Sequence, residues 1–178
     1  MQNVTALNTG LRYGLYGTLA MIVFSLISFL LGLNDMNIFT GLLIIALTIG
    51  IFSSIFVMAI RKHRDELQDG QITWLKGFTI GVLASFVIGL LTGVFMYFYY
   101  QYIDTEYLRT LPEKAQEMFE KIGMPEKDIE KAVADMSTDN TPFGMMKQTI
   151  NSYIIFGAIL SAIVAAVMKK EENSPFAK

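Results

Sequence analysis

The 178-residue chain has no cysteine and a single histidine, His63. Disulfides, thiolate nucleophiles and cysteine- or histidine-rich metal sites are thereby excluded. Charge is scarce as well: Asp, Glu, Lys and Arg make up 17% of the residues, against about 25% in ordinary globular proteins. The net charge of −2 carries no basic surplus, so no nucleic-acid partner is expected. What charge there is lies unevenly. Residues 38–60, 77–102 and 149–168 contain none, and 11–33 contain only Arg12.

Each of these stretches is long enough, at about 1.5 Å per helical residue, to cross a hydrocarbon layer of about 30 Å. The second holds fourteen Leu, Ile, Phe or Val residues. At roughly −0.3 to −0.6 kcal/mol each, they favour insertion by several kcal/mol. The expected fold class is all-α: a polytopic membrane protein with four transmembrane helices and a short extramembrane helical hairpin between the third and fourth. The first span has an apolar run longer than that of a signal peptide, and no small-residue cleavage site follows it, so it is expected to stay as an anchor. Arg61, Lys62, Arg64 and Lys76 flank the second connection, Lys169 and Lys170 follow the last span, and the turn Asn34-Asp35-Met36-Asn37 has no basic residue. The positive-inside rule then places both termini in the cytoplasm and the hairpin outside, although residues 104–148 carry six basic residues beside ten acidic ones.

Residues 104–140 form the charged insert. Pro112 sits where a first helical residue belongs, and Leu111, Ala115, Met118, Phe119 and Ile122 follow helical spacing up to a stop at Gly123. Pro125 opens a second run with Ile129, Ala132, Val133 and Met136 on one face, and Glu117 and Lys121 form an i,i+4 pair. Two amphipathic helices of about ten to twelve residues are expected, too short to be stable alone in water. Their apolar face (Met118, Phe119, Ile122, Ile129, Val133) needs the bundle, the membrane surface or another protein. Asp135 and Asp139 lie in no calcium-loop pattern.

Small residues recur every fourth position in the third span: Gly77, Gly81, Ser85, Gly89 and Gly93. Such a stripe lets a second helix backbone approach closely, either within the chain or between copies. Weaker stripes are Gly10-Gly14-Thr18, Ala46-Gly50-Ser54 and Gly157-Ser161-Ala165. Ser25, Ser28, Ser53 and Ser54 read as hydrogen bonders between helices. The tyrosines of "MYFYYQY" read as an interfacial aromatic belt, Trp74 and Lys76 as re-entry anchors, and His63 as a solvated member of the basic cluster Arg61, Lys62 and Arg64. A faint repeat aligns Leu11, Gly17, Leu19, Ala20 and Val23 with Leu75, Gly81, Leu83, Ala84 and Val87, and Gly50, Ser54, Val57 and Ala59 with Gly157, Ser161, Val164 and Ala166. It suggests two hairpins related by an axis along the membrane normal.

The order of spans, the connection "RKHRDELQDGQITWLKGF" and the segment "YYQYIDTEYLRTLPEKAQEMFEKIGMPEKDIEKA" resemble the bacterial membrane proteins grouped as domain of unknown function 4199, over roughly residues 8–170. Members usually carry a glycine-rich inner loop, where this chain has Asp69-Gly70 and Trp74-Leu75. The resemblance implies a four-span bacterial inner-membrane protein and brings no reaction, substrate or catalytic residue.

No paired acids, metal ligands or activated nucleophile sit at membrane depth, so neither an enzyme nor a cofactor is expected. Three functions compete. The first is a non-enzymatic membrane protein acting through helix–helix association or partner binding, its partners being the lipid bilayer and either a second copy or another membrane protein. The second is a small transporter or passive channel subunit, although the spans lack the ionisable residues of coupled pathways. The third, an intramembrane enzyme, has no candidate residues.

Overall fold

Helix starts in this chain are written in capping residues. Thr5, Asn37, Thr73, Asp104 and Thr141 each accept a hydrogen bond from a first-turn backbone N–H through their side chains. Pro142 follows the last of these caps, at a position where a missing N–H costs nothing. A computed structural model describes residues 5–33, 37–138 and 140–170, with the side chain of Thr138 left out, and shows six helices there. They are α1 (Ala6–Leu30), α2 (Ile38–Leu67), α3 (Trp74–Tyr102), α4 (Thr105–Lys121), α5 (Glu126–Thr138) and α6 (Pro142–Met168). The turn at Asn34-Asp35-Met36 and the acidic Asp139 lie outside the described residues.

Four helices, α1, α2, α3 and α6, are long and apolar enough to cross a membrane. Each extends past its uncharged stretch at one end. The α6 start moves back from residue 149 to Pro142 because Thr141 and Pro142 form a complete helix opening. The α2 end moves from residue 60 to Leu67, since Lys and Arg are good helix formers and nothing in 61–67 breaks the turn. Helix α1 ends at Leu30 because Gly32, at φ +65°, closes it: Gly32 N–H donates to Phe29 O and Leu33 N–H to Ser28 O.

The solvent for this bundle is legible in what is buried. Gly10, Gly14, Gly17, Thr18, Ser25 and Ser28 face inward on α1, while Leu30 is 85% exposed. On other helices Phe39 is 74% and Val167 78% exposed. Along α1, mostly small and hydroxylated residues inside with Leu, Ile and Val outside is the arrangement that hydrocarbon tolerates and water opposes. This is a four-span membrane protein.

Helix α3 is the hub, packed most extensively on α6 and then on α1; α2 rests against α1 and α6 and more lightly on α3. The cyclic order is therefore α1, α2, α6, α3. A two-fold rotation along the membrane normal exchanges opposite helices of such a ring. The repeat suggested by the sequence pairs α1 with α3 and α2 with α6, which are neighbours. The expected pseudo-symmetry is therefore not realised, and the matches reflect the narrow alphabet of apolar helices. Where the four helices converge, Phe52 is fully buried, its ring edge-on to Phe56, Tyr153 and Phe156 at 5.4–5.7 Å.

Candidate functional site

Three surfaces stand out: the α3 stripe, the end of the bundle that carries both described termini, and the α4–α5 hairpin.

The α3 stripe is filled from within the chain. A Cβ placed on Gly77 meets Ala165 Cβ at 3.2 Å, and one on Gly81 meets Ser161 Cβ at 2.3 Å. One on Gly157 meets Ser85 Oγ at 2.0 Å, and Gly89 and Gly93 face Tyr153 and Ile150. These pairs run antiparallel, two stripes of small residues closing on each other. Helix α1 runs parallel to α3, and its own small residues Gly10, Gly14 and Gly17 admit the larger side chains of Leu83, Val87 and Ile88. The α2 stripe differs: nothing lies within 4 Å of a Cβ on Gly50, Ala46 and Ser54 are exposed, and Ser54 Oγ donates to Gly50 O of its own helix. Bonds between helices come instead from Thr9 and Trp74, with Thr18 and Ser161 adding long 3.5 Å contacts to Val87 O and Phe78 O.

At the end carrying the termini, Ile72 and Lys170 exchange backbone hydrogen bonds of 2.9 and 3.0 Å, tying the α2–α3 connection to the end of α6. Trp74 stacks on Phe78 at 5.1 Å and donates its indole N–H to Ala162 O at 3.1 Å. It thus anchors helix to helix besides marking the re-entry. Asp69 and Gly70 turn the chain with φ +50° and +82°. Of the three basic residues singled out here, Lys62 pairs with Glu66 at 2.5 Å and Arg64 with Asp65 at 2.7 Å, while Arg61 is exposed. The Arg64 hydrogen bond holds the Asp65 carboxyl below its usual range.

His63 departs from expectation. It lies past the uncharged, membrane-spanning part of α2, yet it is buried rather than solvated, with Nδ1 3.0 Å from Thr9 Oγ1 of α1. Because α2 continues past residue 60, His63 falls on the face of Ala59, Phe56 and Phe52, four, seven and eleven residues back, and that face points inward. Burial lowers its pKa from 6.5, and the charge of Lys76 adds to the effect. Among the described residues no group of His, Asp or Glu is placed to hold a metal.

The opposite end carries the hairpin. Helix α4 begins at Thr105, seven residues before Pro112, because Asp104 caps it through Tyr107 N–H. Pro112 therefore lies inside the helix, contrary to the expected start. A proline there leaves the carbonyl four residues back without a donor. That carbonyl is Leu108 O, and the Asn140 side-chain amide donates to it. The longer α4 also explains the tyrosines. Tyr102 is exposed and stacks on Phe98, as a belt residue would. Tyr99 and Tyr100 turn inward instead: Tyr99 stacks on Phe29 at 4.2 Å, and Tyr100 on Tyr107 of α4 at 5.2 Å. With Leu108, these rings fix the root of the hairpin to the bundle. Sequence spacing missed Tyr107 and Leu108 as anchors because they precede the proline; the capping signal of Asp104 three residues before Tyr107 was the available clue.

Helix α4 stops at Gly123, whose φ is +75°; Gly123 N–H donates to Glu120 O and Met124 N–H to Phe119 O. Helix α5 packs back on α4, and α4 touches α3 only lightly. Of the expected apolar face, Ile129 is buried, Met118, Phe119 and Val133 are half-buried and Ile122 is 47% exposed. Leu111 and Ala115 are buried beside them. The Glu117–Lys121 pair forms at 3.7 Å, both side chains largely exposed, and such pairs add little. On one side the two helices leave a groove of about 650 Å³. Its floor is Met124, Ile129 and Val133, and its charged residues are Glu120, Glu126 and Glu130.

A family described as protein of unknown function (DUF4199) matches residues 12–170. No curated protein and no solved structure matches the chain.

Proposed function

The chain belongs to the DUF4199 family, whose description assigns no reaction, and from that premise we propose a non-enzymatic membrane protein that works by binding a partner through its α4–α5 hairpin. One observation carries this reading. The transmembrane stripe most suited to association is already closed by α6 of the same chain, whereas the hairpin stands on the bundle by its root and keeps an apolar groove open. Two amphipathic helices packed on each other bury one face apiece and remain marginal without a third element. The positive-inside rule supports a cytoplasmic position for Arg61, Lys62, Lys169 and Lys170, and so an inner-membrane protein with the hairpin outside. A small transporter or passive pore finds less support, because Met21, Phe52, Phe56, Ile60 and Ile88 fill the bundle interior.

The experiment is site-specific photo-crosslinking in native membranes. A crosslinker at Gln116 or Ala134, both lining the groove, is expected to give a discrete protein adduct, and one at lipid-facing Leu30 none. Adducts absent from both hairpin positions, with a strictly monomeric detergent particle, would refute partner binding there.

A further inference from the structure

We propose that the groove between α4 and α5 receives a basic amphipathic helix of another protein. This rests on the partner-binding reading above and specifies what the partner must be. All three charged residues lining the groove are glutamates, Glu120 at the end of α4 and Glu126 and Glu130 on α5, set around Met124, Ile129 and Val133. Helical period accounts for the one-sided charge. Glu126, Glu130, Val133 and Ala134 share the groove-facing arc of α5, whereas Lys127 and Lys131 each follow a glutamate by one residue, about 100° further round. Lys121 is likewise turned toward Glu117 on α4.

The groove's apolar floor between two helices suits helix-in-groove recognition, in which one apolar ridge seats between them to complete a three-helix cluster. Its rim selects the sign of the ligand: an acidic helix would place like charges together, and a lysine- or arginine-bearing one would pair with the rim. The same charge disfavours a second copy of the hairpin as occupant. Residues 104–138 carry nine acids against five bases, so two hairpins repel. A divalent cation is disfavoured as well, since these carboxylates do not converge on a point.

The test uses the full chain in phosphatidylcholine nanodiscs and two synthetic 18-residue helical peptides of Ala and Leu, one carrying Lys and the other Glu on its polar face. Binding is measured in excess of empty nanodiscs. The Lys peptide is expected to bind, and more weakly as salt rises, while the Glu peptide does not. The triple variant E120Q/E126Q/E130Q is expected to lose about tenfold in affinity for the Lys peptide, with helix content unchanged by circular dichroism. The triple variant E106Q/E113Q/D128N, off the groove, should bind as the parent does. Equal binding of both peptides, or equal losses in both triple variants, overturns the proposal. So does a concentration-dependent dimer abolished by the groove variants, which would make a second copy the occupant. If neither peptide binds while Gln116 still gives its adduct in native membranes, the basic helix falls and partner binding through the hairpin stands.

Discussion

Replacing Gly81 by alanine should test the hub of the bundle directly. The new Cβ would stand 2.3 Å from Ser161 Cβ and 3.4 Å from Ser161 Cα. Carbon atoms pack at about 3.5–4.0 Å, so α3 and α6 must part locally by about 1.2 Å or more. A gap of about 0.5–1 Å already forfeits a quarter to a half of each dispersion contact, and this is the most extensive helix pair in the protein. Overpacking of this kind costs about 1–3 kcal/mol. The clash has an identifiable partner, so it has a predicted remedy. Ser161→Gly alone should cost about 0.5–1 kcal/mol as a helix glycine, yet in G81A/S161G it removes the obstructing carbon. The double variant should therefore be more stable than G81A. The two changes should couple by about 0.5–3 kcal/mol, read from unfolding of the four variants in one detergent. Strictly additive effects would refute the packing described for this pair. A loss confined to an oligomer, with monomer stability unchanged, would place the stripe between chains instead.

Three further predictions follow from particular contacts. His63 is lowered below 6.5 in the folded chain, so between its folded pKa and 6.5 the unfolded state binds more protons. Its contribution to stability is complete above pH 6.5 and shrinks as pH falls toward the depressed value. H63Q should remove that part of the acid sensitivity in thermal unfolding between pH 5 and 7.5, and an unchanged profile would return His63 to solvent. Asn140→Ala should cost about 1–3 kcal/mol by orphaning Leu108 O, and P112A/N140A should recover most of it because an alanine in place of the proline supplies an N–H; failure of that rescue in urea or thermal titration would assign Asn140 another role. In the cysteine-free background, K121C should react with an impermeant maleimide on intact cells and K62C only after permeabilisation; the reverse pattern would invert the proposed orientation.

Much of the fold was open to local reading, and the misreadings are local too. The four spans declare themselves because a charge in hydrocarbon is so costly that its absence over twenty residues is informative without any neighbour. The hairpin's stop at Gly123 needs only one residue able to take positive φ. Pro112 misled because a proline is usually an opening, and only Asn140, far along the chain and folded back, makes it tolerable mid-helix. His63 looked solvated because its sequence neighbours are charged, whereas its spatial neighbours are set by an α2 that runs on for two more turns.

What the sequence determined by itself is therefore the number of membrane helices, the presence of an amphipathic insert and the periodicity of each small-residue stripe, since solvent preference and helical pitch act residue by residue. Tertiary structure alone decided which stripes meet. Those of α3 and α6 close on each other, α1 closes on α3, and the equally plausible Ala46-Gly50-Ser54 stripe faces outward. Lipid is as apolar as the side chains it surrounds, so no difference in solvation tells a glycine which way to face, and close contact with one particular neighbouring helix makes that choice.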